Sequence, residues 1–218
     1  KIHTCDIVLV THSHWDHLMD VPQVLLQTGA TAYGSANTCQ LLKLMGVPAA
    51  QVKEVHAGEQ LTLGEFVVEV IDGQHSSIPF GRIFNGKLKQ SLQPPLRLQD
   101  FRMDVCLGFR ITTRGSRALV CAAAPLPAEL LFTVAQEEPE YYQRMFQMVQ
   151  PHTVVPIHWD NFLRPLNKPL QRFTRPGRMK LSHLTKMAHQ ILPQAKVVIP
   201  ELFCEYTLSD KSFLHPGG

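Results

Sequence analysis

Asp6-Ile7-Val8-Leu9-Val10-Thr11-His12-Ser13-His14-Trp15-Asp16-His17 decides how this chain is read. Ile7 to Val10 is an unbroken apolar run and, with Asp6, predicts a buried strand covered on both faces. Three histidines and a carboxylate follow within six residues, from His12 to His17. In extended backbone, side chains two apart project to the same side, so His12 and His14 can reach one ion together. If the chain then turns, Asp16 and His17 can face a second ion nearby. Imidazole and carboxylate at this density suit zinc or a similar divalent metal. Massed without a metal, such groups repel or go unsatisfied.

Working outward, helices are expected at Val21–Thr28 and Asn37–Met45, the second stopped by Gly46. Short strands are expected at Thr31–Tyr33, Val52–His56, Gln60–Leu63 and Phe66–Ile71, with Gly58 and Gly64 in the turns. Ser76–Phe101 holds Pro, Gly and basic residues without periodicity and reads as a long loop. Strands are expected again at Val105–Thr112, Ala118–Cys121, Thr153–Ile157 and Val197–Ile199. Helices are expected at Ala128–Ala135, Tyr141–Val149 and Leu181–Ile191. Strands interleaved with helices on this scale define an α/β layered protein.

Two further histidines stand at expected strand ends: His75 after Val67–Gln74, and His158 after Thr153–Ile157. Such loops are where α/β proteins place their sites. Taken alone, either histidine is more often structural; beside the first cluster, both are candidate ligands.

At 218 residues, one domain spanning 1–218 is expected. A net charge of +3 argues neither for nucleic acid nor for a membrane surface. Cys5, Cys39, Cys106, Cys121 and Cys204 are scattered, with no CxxC pair, as in a reduced, cytoplasmic protein. The chain opens with Lys1 almost directly on a core strand. An N-terminally incomplete domain is therefore expected, which leaves any targeting signal open.

The HxHxDH run, the later strand-end His75 and the final His158 in Pro156-Ile157-His158-Trp159 resemble the metallo-β-lactamase-fold hydrolases. Trp15 and the Pro-Ile-His-Trp-Asp stretch resemble the branch with ascorbate-6-phosphate lactonases and the phospholipase D enzymes of this fold. The resemblance implies an αββα sandwich, here lacking its N-terminal strands. It implies two metal sites, with His12, His14 and His75 on the first ion and Asp16, His17 and His158 on the second. It also implies a metal-bound hydroxide as nucleophile, with Asp16 and His158 as catalytic residues and Asp16 taking part in proton transfer. Zinc is the expected metal, in one or two ions, with Mn2+ and Fe2+ as alternatives. The implied reaction is hydrolysis of an ester, lactone or phosphodiester bond in a small-molecule substrate. Membrane contact is expected only for a lipid substrate, and no nucleic acid is expected.

The pattern breaks in two places. Where the family has a bridging Asp, this chain has Leu119-Val120-Cys121-Ala122-Ala123-Ala124-Pro125, and neither Ala123 nor Ala124 binds a metal. A missing anionic bridge predicts a weak second ion or a mononuclear site. It also defines the rival reading, a non-catalytic protein that keeps the fold. The second break is the absence of the strands that normally precede HxHxDH.

Arg164, Lys168, Arg172, Arg175, Arg178 and Lys180 form a basic run that is either a clamp for an anionic substrate or a solvated loop. Arg82, Lys87 and Lys89 could add to such a clamp. Trp15 and Trp159 either wall the pocket or support the sheet, and Ser76 and Ser77 read as turn residues. His3, His56, His152, His183, His189 and His215 are expected to be structural or superficial.

Overall fold

The computed structural model describes residues 2–75, 81–134, 139–161, 165, 167–169, 181–201, 204–209 and 212–214. The chain forms two compact units. The first is Lys1–Gly64 with Val68–Phe109, and the second is Glu65–Val67 with Arg110–Gly218.

In the first unit, β1 (Ile7–Leu9), β2 (Thr31–Gly34) and β3 (Val52–Glu54) form a parallel sheet in chain order. Its register pairs Val8 with Ala32 and Ala32 with Val52. Three helices accompany it: α1 (Trp15–Leu18), α2 (Val21–Thr28) and α3 (Ala36–Leu44). Pro22 sits in the first turn of α2, where a missing N–H costs nothing. Gly29 closes that helix at φ 77°, a conformation open to glycine, and donates its N–H to the Leu25 carbonyl. Ser35 caps α3 by accepting from Thr38 N–H. Val10, Leu18, Leu25, Ala32, Leu41 and Leu42 are the buried heart of this unit. Each large aliphatic side chain so buried contributes roughly 1.5–3 kcal/mol. The unit also contains β4 (Gln60–Leu63), most of β5 (Phe66–Asp72), the short α4 (Gly81–Phe84) and the start of β6 (Leu107–Thr113).

The second unit carries β6, β7 (Ser116–Val120), β8 (Leu130–Val134), β9 (Thr153–Ile157) and β10 (Lys196–Val197), neighbours in that order. From β7 to β10 all pairs are parallel. The long helices α5 (Pro139–Val149) and α6 (Leu181–Ile191) contact one another. Tyr142, Met145, Phe146, Leu181 and Leu184 are buried. A two-stranded antiparallel ribbon, β11 (Thr207–Ser209) and β12 (Ser212–Leu214), ends the described chain. Among the described residues, no helix is long and apolar enough to cross a membrane.

One expected element changes type. Ala128–Ala135 is expected as a helix, whereas Leu130–Val134 is the strand β8, hydrogen-bonded between β7 and β9. Leu130-Leu131-Phe132-Thr133-Val134 is apolar almost throughout, and over so short a run the helical and buried-strand patterns coincide. Two strand partners settle the choice. The expected loop Ser76–Phe101 is irregular over most of its described part. It nevertheless includes α4 and a 3-10 turn at Leu98–Asp100, and Leu88, Leu92 and Leu96 rest on the core of the first unit.

Glu129 and Arg117 form the best-built ion pair described in the second unit. Arg117 Nη2 donates to Glu129 Oε1 at 2.8 Å, and Arg117 backbone N–H donates to Oε2 at 2.7 Å. The Arg117 guanidinium holds the Glu129 carboxyl down at about 2, against an ordinary value of 4.5. A carboxyl depressed in the folded state stabilises above its unfolded value and loses that contribution as pH falls. Glu129→Gln should therefore cost about 1–3 kcal/mol at pH 7. The gap from the unsubstituted protein should shrink as pH drops from 4.5 towards about 2. Urea titrations across that range check this, and a pH-independent gap would contradict it.

Candidate metal centre

The site in the first unit is built where β1 runs out. Val10 N–H donates to the Tyr33 carbonyl at 2.9 Å, and Leu107 N–H donates to the Thr11 carbonyl at 2.7 Å. The backbone is thus held from both sides as it leaves the strand. It bends at Thr11, is extended at His14 (φ −65°, ψ 151°) and then turns into α1. His12 and His14 consequently lie two apart on one side, and both are buried. Ser13 points elsewhere and donates to the Arg102 carbonyl at 2.6 Å.

His75 reaches the same point from the end of β5. Gly73, two residues before it, approaches the neighbouring backbone closely, with its N–H on the Cys106 carbonyl at 2.9 Å. A Cβ on Gly73 would stand 2.6 Å from the Leu107 carbonyl carbon, so only glycine fits without displacing a strand. The rings of His12, His14 and His75 meet edge to face, with centroids 4.7, 4.7 and 4.8 Å apart and planes at 86–88°. One nitrogen from each lies within 4.8 Å of the others.

His14 Nε2 lies 3.1 Å from the Phe84 carbonyl oxygen. A carbonyl only accepts, so Nε2 carries the proton and Nδ1 keeps its lone pair for a ligand. Burial pushes the His14 imidazole below its usual range, against the Phe84 carbonyl and Asp16, which raise it. The neutral ring is the form that binds metal. Three converging imidazoles, two buried and one half-buried, with the His14 ring held by a carbonyl, are a donor set that fits a divalent transition metal.

α1 adds Asp16 and His17. His17 stacks at a tilt on His12, with centroids 3.9 Å apart, and its Nε2 lies 3.7 Å from Asp16 Oδ2. Thr11 Oγ1 is 3.1 Å from His12 Nδ1 and 3.4 Å from His17 Nδ1. The first unit therefore gathers five of the six sequence-expected ligands: His12, His14, Asp16, His17 and His75.

The sixth, His158, belongs to the second unit and follows β9 with φ 56°. A non-glycine residue in this left-handed region costs energy, and such residues concentrate at functional sites. Cys121 takes a similar conformation (φ 52°) at the end of β7. Burial pushes its thiol up to about 11. The alanines at 122–124 follow it directly.

Several supporting residues were not expected from the sequence. Asn37, buried at the start of α3, donates from Nδ2 to the carbonyls of Gly86 (3.0 Å) and Arg102 (2.7 Å) and accepts from Leu88 N–H (3.2 Å). Asp104 accepts from Ser35 Oγ at 2.6 Å and from Asn37 N–H at 3.0 Å. Together they tie the segment carrying Phe84 to the start of α3. Ser35 and Asn37 find partners in Asp104 and Gly86, 69 and 49 residues away, which no local pattern relates to them. Of the basic run, Lys168 is exposed, while Arg164, Arg172, Arg175, Arg178 and Lys180 lie outside the described residues. Ser76, Ser77 and His215 lie outside them as well.

Residues 1–131 match the beta-lactamase superfamily domain, more than half of the chain, and the chain belongs to that family. It is similar to a UPF0173 metal-dependent hydrolase of Polynucleobacter asymbioticus, at 25% identity over 75% of this chain and 60% of the relative. It is also similar to one of Myxococcus xanthus, at 33% identity over 33% of this chain and 25% of the relative. The matched region thus spans less than two thirds of either relative. Among solved structures, the fold is shared with Igni18, a metallo hydrolase from Ignicoccus hospitalis. The TM-score is 0.59 at 18% identity, covering 90% of this chain and 76% of that one. The metallo-beta-lactamase fold protein YhfI from Bacillus subtilis shares it too, at TM-score 0.55 and 16% identity, covering 90% and 74%. The expected fold class is thereby borne out.

Asn37→Ala removes three hydrogen bonds that hold the 84–104 segment in place. It should cost about 1–3 kcal/mol in chemical denaturation and speed proteolysis within that segment. An unchanged denaturation midpoint would show that the segment is held by its leucines alone.

Proposed function

We propose that this protein is a metal-dependent hydrolase that cleaves an ester, lactone or phosphodiester bond in a small substrate. The observation that carries the reading is the buried convergence of His12, His14 and His75, with Asp16 and His17 alongside. The metal-dependent hydrolases among its relatives support it. In this reading His12, His14 and His75 hold one ion. Asp16 and His17 hold a second, to which the sequence resemblance adds His158. Zinc suits a set of imidazoles and one carboxylate best, and Mn2+ and Fe2+ suit it next.

Bound dications supply Lewis-acid polarisation and activate water at neutral pH. The chain's own groups do the rest. Burial keeps His14 neutral, and the Phe84 carbonyl orients its ring. The side chain of Asp16, 17% exposed beside His17, is placed to carry a proton to or from the reacting group.

A second reading is favoured by the turn after β7, where alanines stand in place of a bridging carboxylate. It makes the chain a family member that keeps the fold without turnover. Ala124→Asp separates the two. It should raise affinity for the second ion, and hydrolysis with it, if the remaining ligands are in place.

Elemental analysis and zinc titration test the proposal. One ion should bind tightly and the second more weakly by about tenfold or more. His14→Ala should abolish the tight site, while His183→Ala, on the exposed face of α6, should leave metal content unchanged. A chelator should abolish hydrolysis across a panel of lactones and phosphodiesters, and zinc should restore it. Full metal retention in His14→Ala would refute the assignment.

A further inference from the structure

Thr11 lies between the two proposed ligand groups. Its backbone is clamped by the Leu107 N–H on its carbonyl and by the neighbouring Val10–Tyr33 hydrogen bond. Its hydroxyl oxygen is within reach of two imidazole nitrogens at once, 3.1 Å from His12 Nδ1 and 3.4 Å from His17 Nδ1. β-branching leaves a threonine few side-chain rotamers, so a clamped backbone also fixes where that oxygen sits.

A hydroxyl has one proton to give and two lone pairs to receive with. If Thr11 donated to either Nδ1, that ring's own proton would have to sit on Nε2. In the proposed reading His17 Nε2 meets the second ion beside Asp16 Oδ2, from which it stands 3.7 Å, and the buried His12 Nε2 meets the first. Only one arrangement leaves both Nε2 lone pairs available to metal. Both rings carry their proton on Nδ1, and Thr11 Oγ1 accepts from both.

We infer that Thr11 is a positioning residue that sets the tautomer and orientation of His12 and His17 together, and so couples the affinities of the two metal sites. The inference rests on the proposed division of ligands, with His12 on one ion and His17 on the other. One oxygen serving both rings makes the coupling specific. A change at Thr11 must weaken both sites, whereas loss of the Phe84 contact to His14 touches the first alone.

The test uses the full chain labelled with 15N-histidine, as the unsubstituted protein and as the Thr11→Ser and Thr11→Val variants, all checked for folding by their amide spectra. Long-range 15N–1H correlation spectra of the metal-free protein report which ring nitrogen carries the proton. The unsubstituted protein and Thr11→Ser should both show His12 and His17 protonated on Nδ1. Thr11→Val should lose that form at both rings. Zinc titration should then show both sites weakened by about 10–100-fold in Thr11→Val, and near-normal affinities in Thr11→Ser.

Unchanged tautomers in Thr11→Val, or weakening of one site only, would overturn the inference. An unsubstituted protein with either ring protonated on Nε2 would overturn it too. If both rings show the Nδ1–H form and the protein still binds no zinc, the proposed metal function fails while the assignment of Thr11 to the two tautomers stands. Should Thr11→Val not fold, Thr11→Ala carries the same comparison.

Discussion

The site depends on holding neutral imidazoles close together away from water. His12 and His14 are buried, and His75 completes the edge-to-face arrangement. Charged, these rings would repel one another and lose hydration; neutral, they present lone pairs to a common point. Burial favours the neutral form, as the lowered His14 shows. The surrounding structure then has to hold each ring in a usable orientation. The clamp on Thr11, the glycine at 73 and the Phe84 carbonyl do this from three separate segments.

Much of this was legible in the sequence, and for identifiable reasons. The two-residue spacing of His12 and His14 could be read directly, although β1 is only half-buried and ends at Leu9, so the pair stands beyond the strand rather than on it. His75 could be placed because β5 is strongly apolar and ends near it. The helix at Ala128–Ala135 failed because a short apolar run has no distinguishing period, and its strand partners β7 and β9 are distant in sequence. The Asn37 and Asp104 contacts were invisible for the same reason, since they join segments that nothing local relates.

The turn after β7 is where this chain departs from the ligand pattern that its sequence otherwise resembles. Cys121 and three alanines stand there, so that turn holds no carboxylate. Fewer anionic ligands leave a dication less well neutralised, and the burden falls on Asp16. The proposed first site differs in kind, since it is built of imidazoles gathered within one unit.

Zinc-edge X-ray absorption on protein loaded with one equivalent of zinc tests the central claim most directly. The account predicts a nitrogen and oxygen shell with the outer scattering of about three imidazoles, at metal–nitrogen distances near 2.0–2.1 Å. A sulfur scatterer at about 2.3 Å would place the ion on a cysteine instead. That result, or failure to retain the zinc, would contradict the assignment of His12, His14 and His75.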